Sequence, residues 1–91
     1  MNIMETETKL SAFLFYCGTM YSSVGAYAMS RYAFQVASDF GHVPATRELG
    51  ILMVHGKGGE VDIYEGSRLL HLAEQAGDET ASVALDSFLE F

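Results

Sequence analysis

Gly56-Lys57-Gly58-Gly59 is the stretch whose residue types come closest to chemistry. Glycines leave backbone amides open to a phosphate, and a lysine would add the countercharge. A Walker-type phosphate loop needs more: Gly-x-x-x-x-Gly-Lys-Ser/Thr between a strand and a helix. Here Gly58 follows Lys57 where a hydroxyl is required, the residues upstream read as helix, and Glu60 and Asp62 would repel a phosphate. The other reading is a bend between two packed helices, and the motif rules favour it.

Three histidines and one cysteine are the other reactive groups. His42 falls at an interhelical turn, and His55 and His71 fall at separate helical positions. No two of them stand four apart, the spacing of a helical metal pair, and no cysteine lies beside one. His71 near Asp62 or Glu74 reads as a surface pair. Cys17 as a nucleophile would need a base such as His55 brought to it by the fold, whereas a thiol packed among apolar neighbours needs nothing further. No catalytic residue, metal or cofactor is therefore expected. The aromatic residues say more. Phe13, Phe15, Tyr16, Tyr21, Tyr27 and Tyr32 crowd the first third, and adjacent Phe13-Leu14-Phe15-Tyr16 cannot all face one side of a helix. Part of that cluster must point away from the chain's own core, toward an apolar-aromatic surface of the kind interfaces use.

The elements that position these groups follow from composition and periodicity. With 91 residues the chain is expected to be one small domain, residues 1–91, with a disordered or frayed start over 1–6. Its apolar share of 49% and mean hydropathy of +0.16 exceed what so small a core absorbs, so the surplus argues for a surface covered by a partner or a second copy. Charge is uneven. Residues 1–59 sum to zero, while residues 60–91 carry Glu60, Asp62, Glu65, Glu74, Asp78, Glu79, Asp86 and Glu90 against Arg68 alone, the whole net charge of −7. Direct nucleic-acid binding wants the opposite sign. A basic partner surface is compatible, as is plain solubility. The apolar run AFLFYCGTMY lacks a positive leader, carries bulky Tyr16 before Cys17, and is too short to cross a bilayer, so no membrane role and a cytoplasmic location are expected.

A 36-residue shift superposes Ala37, Gly41, Ala45 and Leu49 on Ala73, Gly77, Ala81 and Leu85. Each copy reads helix, glycine, helix. Met29, Tyr32, Ala33, Val36, Ala37 and Phe40 make the 3.6-period stripe of one helix, about 26–40. Gly41 ends it, and Pro44 opens a helix to His55. Asp62 with Glu65 caps the next, which carries Ile63, Gly66, Leu69, Leu70 and Ala73 to Gly77. Asp78 and Glu79 start the last, with Val83, Ala84, Leu85, Phe88 and Leu89 as its apolar side. One more helix, about 7–21, precedes them. Gly18, Gly50, Gly66, Ala37 and Ala73 mark close helix crossings. The fold class is all-α: a short right-handed α-α superhelix of about two helical hairpins plus a terminal helix.

The segment Glu48–Ala81 resembles the Sel-one-like repeat, a relative of the tetratricopeptide repeat. The motif residues are Leu49-Gly50, Met53, Gly56-Lys57-Gly58, Asp62, Gly66, Leu69-Leu70, Ala73 and Gly77. An earlier copy begins with Cys17-Gly18-Thr19-Met20-Tyr21 and ends at Gly41, with only SSVGA where the family has its glycine loop. A third, partial copy starts at Ala81, with Asp86 in place of the helix glycine. The resemblance implies a scaffold that binds other proteins, with no catalytic residues of its own. Its concave surface would come from the first helix of each pair, around 10–21, 45–55 and 80–90. Candidate contacts are Tyr16, Tyr21, Leu52, His55 and Phe88, flanked by Glu48, Asp86 and Glu90 for a basic target. The expected function is a non-catalytic protein-interaction module: an adaptor, an inhibitor or an immunity-type protein. Two alternatives stay open. One is an acidic decoy that imitates nucleic-acid phosphates, and the other is a structural homo-oligomer.

Overall fold

The Asn2 side chain accepts the amide of Glu5 at 2.7 Å, and this cap sets the first helix going at Ile3. Residues 3–6, within the segment expected to be disordered or frayed, form the first turn of this helix. In the computed structural model, which describes residues 2–89, five helices follow one another: α1 (Ile3–Ser23), α2 (Tyr27–Asp39), α3 (Val43–His55), α4 (Ile63–Gln75) and α5 (Glu79–Leu89). No strand occurs among the described residues. The fold is all-α, with α1 paired to α2, α3 paired to α4, α2 seated on α3, and α5 closing on α4. This is the hairpin stacking of a short α-α superhelix. The body measures 49 × 29 × 18 Å, and its thin dimension is that of two helix layers at the usual 8–10 Å separation.

The 36-residue repeat is structural as well as sequential. Ala33, Phe34, Ala37, Ala45 and Leu49 are all buried, and so are their counterparts Leu69, Leu70, Ala73, Ala81 and Leu85. The turns match bond for bond. The Gly41 amide donates to the Ser38 carbonyl at 2.8 Å and the His42 amide to the Ala37 carbonyl at 3.1 Å. Gly77 and Asp78 repeat this onto Glu74 and Ala73 at 2.9 and 3.0 Å. Both glycines take the left-handed conformation, φ +86° at Gly41 and +97° at Gly77, which terminates a helix at little steric cost only without a side chain. Even the polar link across the turn recurs. Ser38 and Thr46 hydroxyls meet at 2.5 Å, and the Ser82 hydroxyl donates to the Glu74 carboxylate at 2.5 Å. Two copies of one hairpin-joining turn therefore hold α2 to α3 and α4 to α5.

Close crossings fall at the expected small residues. A Cβ on Gly50 would stand 2.8 Å from the Gly66 carbonyl oxygen, and one on Gly66 would stand 2.8 Å from that of Gly50. Gly18 serves another purpose. It makes room for the Phe34 ring, whose Cε1 would lie 2.5 Å from a Cβ there, and its carbonyl accepts the buried Ser30 hydroxyl at 2.7 Å. The core is thus an apolar cluster of Phe34, Ala37, Ala45, Leu49, Leu52 and Leu69, continued by Leu70, Ala73, Ala81 and Leu85. Each fully buried Leu or Phe side chain contributes about 1.5–3 kcal/mol.

Candidate interaction surfaces

The glycine loop packs against α2. Gly56 ends α3 at φ +67°, and the Lys57 amide donates to the Leu52 carbonyl at 2.9 Å, a helix-terminating turn. Gly58 then lies so close to the Tyr27 carbonyl that a Cβ would collide with backbone, and Gly59 lies equally close to the Arg31 guanidinium. Arg31 donates through Nη2 to the Glu60 carbonyl at 3.1 Å, and Lys57 Nζ sits 5.0 Å from the centroid of the Tyr27 ring. Asp62 Oδ1 accepts the Glu65 amide at 2.9 Å and starts α4. The glycines are spent on docking the turn, and the lysine rests on an aromatic face. Tyr27 and Arg31, which receive the loop, lie some thirty residues upstream, and no local sequence signal marks them for that part.

The structure separates the candidate contact residues into two surfaces. Tyr16 and Tyr21 stand exposed on α1, where Leu10, Phe13 and Met20 join them. Phe15, by contrast, turns inward, its ring centroid 5.6 Å from Phe34 and 4.9 Å from His42. The crowded aromatics thus split as the helical wheel demands: Phe15 packs and Phe13 and Tyr16 do not. Between residues 10 and 30 no Asp, Glu, Lys or Arg occurs, so this apolar face is also an uncharged one.

His55 and Phe88 meet on the second surface, an open groove of ≈ 500 Å³ between α3 and α5 with Leu70 at its floor. Ile51, Val54 and Val83 also line it. Asp86 is exposed on α5, and Glu48 is half-buried on α3, where its Oε1 accepts from Arg47 Nη2 at 3.1 Å. Leu52 belongs to neither surface. It is 5% exposed and packs in the core with Leu49 and Phe34, so it is unavailable as a contact. The reason is geometric: α3 is the middle helix, covered by both α2 and α4, and retains little free face. Glu90 and the side chain of Leu89 lie outside the described residues.

The acidic third is largely committed to structure. Asp78 holds Arg47 Nη1 at 2.9 Å through Oδ2 and caps α5 through Oδ1, which accepts the Ala81 amide at 2.9 Å. Glu65 pairs twice with Arg68, whose guanidinium holds the Glu65 carboxyl below the usual range. Glu74 receives Ser82 and lies 3.3 Å from His71 Nδ1. Among the described residues no group of three or more His, Cys, Asp or Glu side chains is arranged to hold a metal ion, and no helix is long and apolar enough to cross a membrane. Compared with protein-family models, with curated proteins and with solved structures, the chain finds no match.

Proposed function

We propose that this chain is a non-catalytic protein-interaction module of the Sel-one-like, tetratricopeptide-related kind, which docks through the apolar-aromatic outer face of α1. The observation that supports the reading is the exposure of Phe13 and Tyr16, 62% and 61%, within a helix whose opposite side already fills the core. Leaving two large rings in water on one helix, beside Leu10 and Met20, forgoes several kcal/mol of burial that a docked protein would recover. An adaptor, an inhibitor or an immunity-type protein in the cytoplasm all fit such a face. The acidic-decoy reading has less support. Asp62, Glu65, Glu74 and Asp78 are engaged within the fold, which among the described residues leaves Glu60, Glu79 and Asp86 as a sparse array. Capture from host lysate with wild type and with a Tyr16→Asp, Tyr21→Asp double variant tests the two together. Docking through α1 requires a stoichiometric partner that resists high salt and is lost with the double variant. Capture that dissolves in salt and ignores those tyrosines would support the decoy.

A further inference from the structure

We propose that the occupant of the α1 face is a second copy of this chain, with α1 packed along α1 of the partner about a twofold axis. The proposal rests on the α1 docking reading and supplies its partner. Ile3, Thr6, Leu10, Phe13, Cys17, Met20 and Val24 follow one another at alternating spacings of three and four. That is the seam of a helix that packs lengthwise against another helix. In the structure this seam faces outward: every member is exposed except half-buried Cys17 at its centre. The inward stripe of α1 is a different one, with buried Ser11 and Gly18 and with Leu14 and Phe15 against the core. A helix folded only onto its own domain needs one stripe, and α1 carries two.

The internal repeat indicates what kind of element belongs there. Phe13 and Tyr16 stand 36 residues before Leu49 and Leu52, and those two are buried, at 0% and 5% exposure, in the cluster that includes Phe34 and Ala37 of α2. Among the described residues no helix stands against α1 as α2 stands against α3. A helix is what this position in the repeat is shaped to receive. Head-to-tail stacking of copies would need a vacant seat on α2 or α4, but α3 and α5 fill both. A second copy stacked in the register of the repeat therefore has no seat. The outward seam of α1 is matched by the same seam on a second α1, an isologous contact that a variant in the α3–α5 groove distinguishes from seating in that groove.

Charge and area agree. The seam is uncharged from residue 10 to residue 30, with Glu5, Glu7 and Lys9 only at its N-terminal end, while the whole −7 lies in residues 60–91, so two copies paired antiparallel meet here without like charges across the contact. Ile3, Leu10, Phe13, Met20 and Val24 of the seam, with flanking Tyr16 and Tyr21, are all large exposed apolar or aromatic side chains, enough surface along one helix to approach the ~800 Å² per partner of a standard interface.

Sedimentation equilibrium on the full chain decides the matter. The expected result is a dimer for wild type, a dimer for Val83→Glu in the α3–α5 groove, and monomers for Leu10→Glu and Phe13→Glu, with helical circular dichroism unchanged throughout. Because Leu10 and Phe13 are exposed, their variants fold as the wild type does, and each is expected to raise the dimer Kd by about 30-fold or more. A short bis-maleimide should join two wild-type copies through Cys17 and fail in Phe13→Glu. A wild type that stays monomeric at millimolar concentration would overturn self-pairing and leave the α1 face to a foreign partner. A dimer that survives Phe13→Glu but dissolves with Val83→Glu would overturn both readings and place the interface in the groove.

Discussion

Gly50 and Gly66 face each other across the α3–α4 crossing, where a Cβ added to either would stand only 2.8 Å from the other's carbonyl oxygen. Neither needs glycine for its dihedrals, since both are helical with negative φ. They are glycines because the backbones touch. Substituting alanine would gain about 1 kcal/mol of helix propensity in a solvent-exposed helix. Here it must push two backbones apart, and backbone yields less readily than a side chain. Gly50→Ala and Gly66→Ala should each destabilise the fold by about 1–3 kcal/mol net, read as a lower urea midpoint. A neutral or stabilising Gly50→Ala would mean that the crossing is looser than the structure places it.

Asp78 carries two duties with two oxygens. It caps α5 and neutralises Arg47, and the side chains are 8% and 16% exposed. Arg47 also has its Nε buried without a partner, so it depends on the bonds it does make. Removing one partner of a buried pair leaves an uncompensated charge, a costlier change than deleting a surface ion pair. Asp78→Ala should therefore cost about 3–4 kcal/mol, combining the lost cap with the stranded guanidinium. Asp78→Asn preserves the capping oxygen and should cost markedly less. Urea titration of the two variants separates the duties: equal losses would show that the cap contributes nothing.

Much of this arrangement is legible in the sequence. Gly41 and Gly77, a period apart, announce the stops, and Asp62 announces the start of α4. The hydrophobic periods place Leu70 and Leu85 inward, but for α2 they choose Met29, Tyr32 and Phe40, which stand exposed, and pass over Phe34, which is buried. The inward face is turned toward Phe34 because Ser30 is buried on it, bonded to the Gly18 carbonyl. What escapes is the long-range part. The Arg47–Asp78 link spans 31 residues and the Arg31–Glu60 link 29; both depend on how hairpins stack, which no local pattern encodes. Leu52 looks like a contact residue for the same reason. Its period places it on a face, and only the position of α3 between two neighbours shows that the face is taken. The structure brings His55 and Phe88 to one groove, a pairing across 33 residues of sequence that spacing alone does not suggest.

His42 is the counterpart of Asp78 in the first copy of the turn, but where Asp78 pairs with Arg47, His42 is half-buried against an aromatic ring with Arg47 near enough to oppose its protonation. Its ring lies against Phe15, its Nε2 is buried without a hydrogen-bond partner, and burial, followed by the positive charge of Arg47, lowers its pKa below 6.5. A base whose folded pKa is depressed resists protonation only while folded. The unfolded chain takes up the proton near 6.5, so it binds more protons than the native state as pH falls through that value. Stability contributed by neutral His42 is thus complete above 6.5, declines below it, and levels off once pH passes the lower folded pKa. Glu65 acts in a separate window, because its depressed carboxyl gives up stability only as pH falls below its ordinary value of 4.5. Urea midpoints at pH 7.5 and 5.5 should therefore differ more for wild type than for His42→Gln. Identical pH slopes in the two proteins would show that the ring is as free to protonate in the fold as in water.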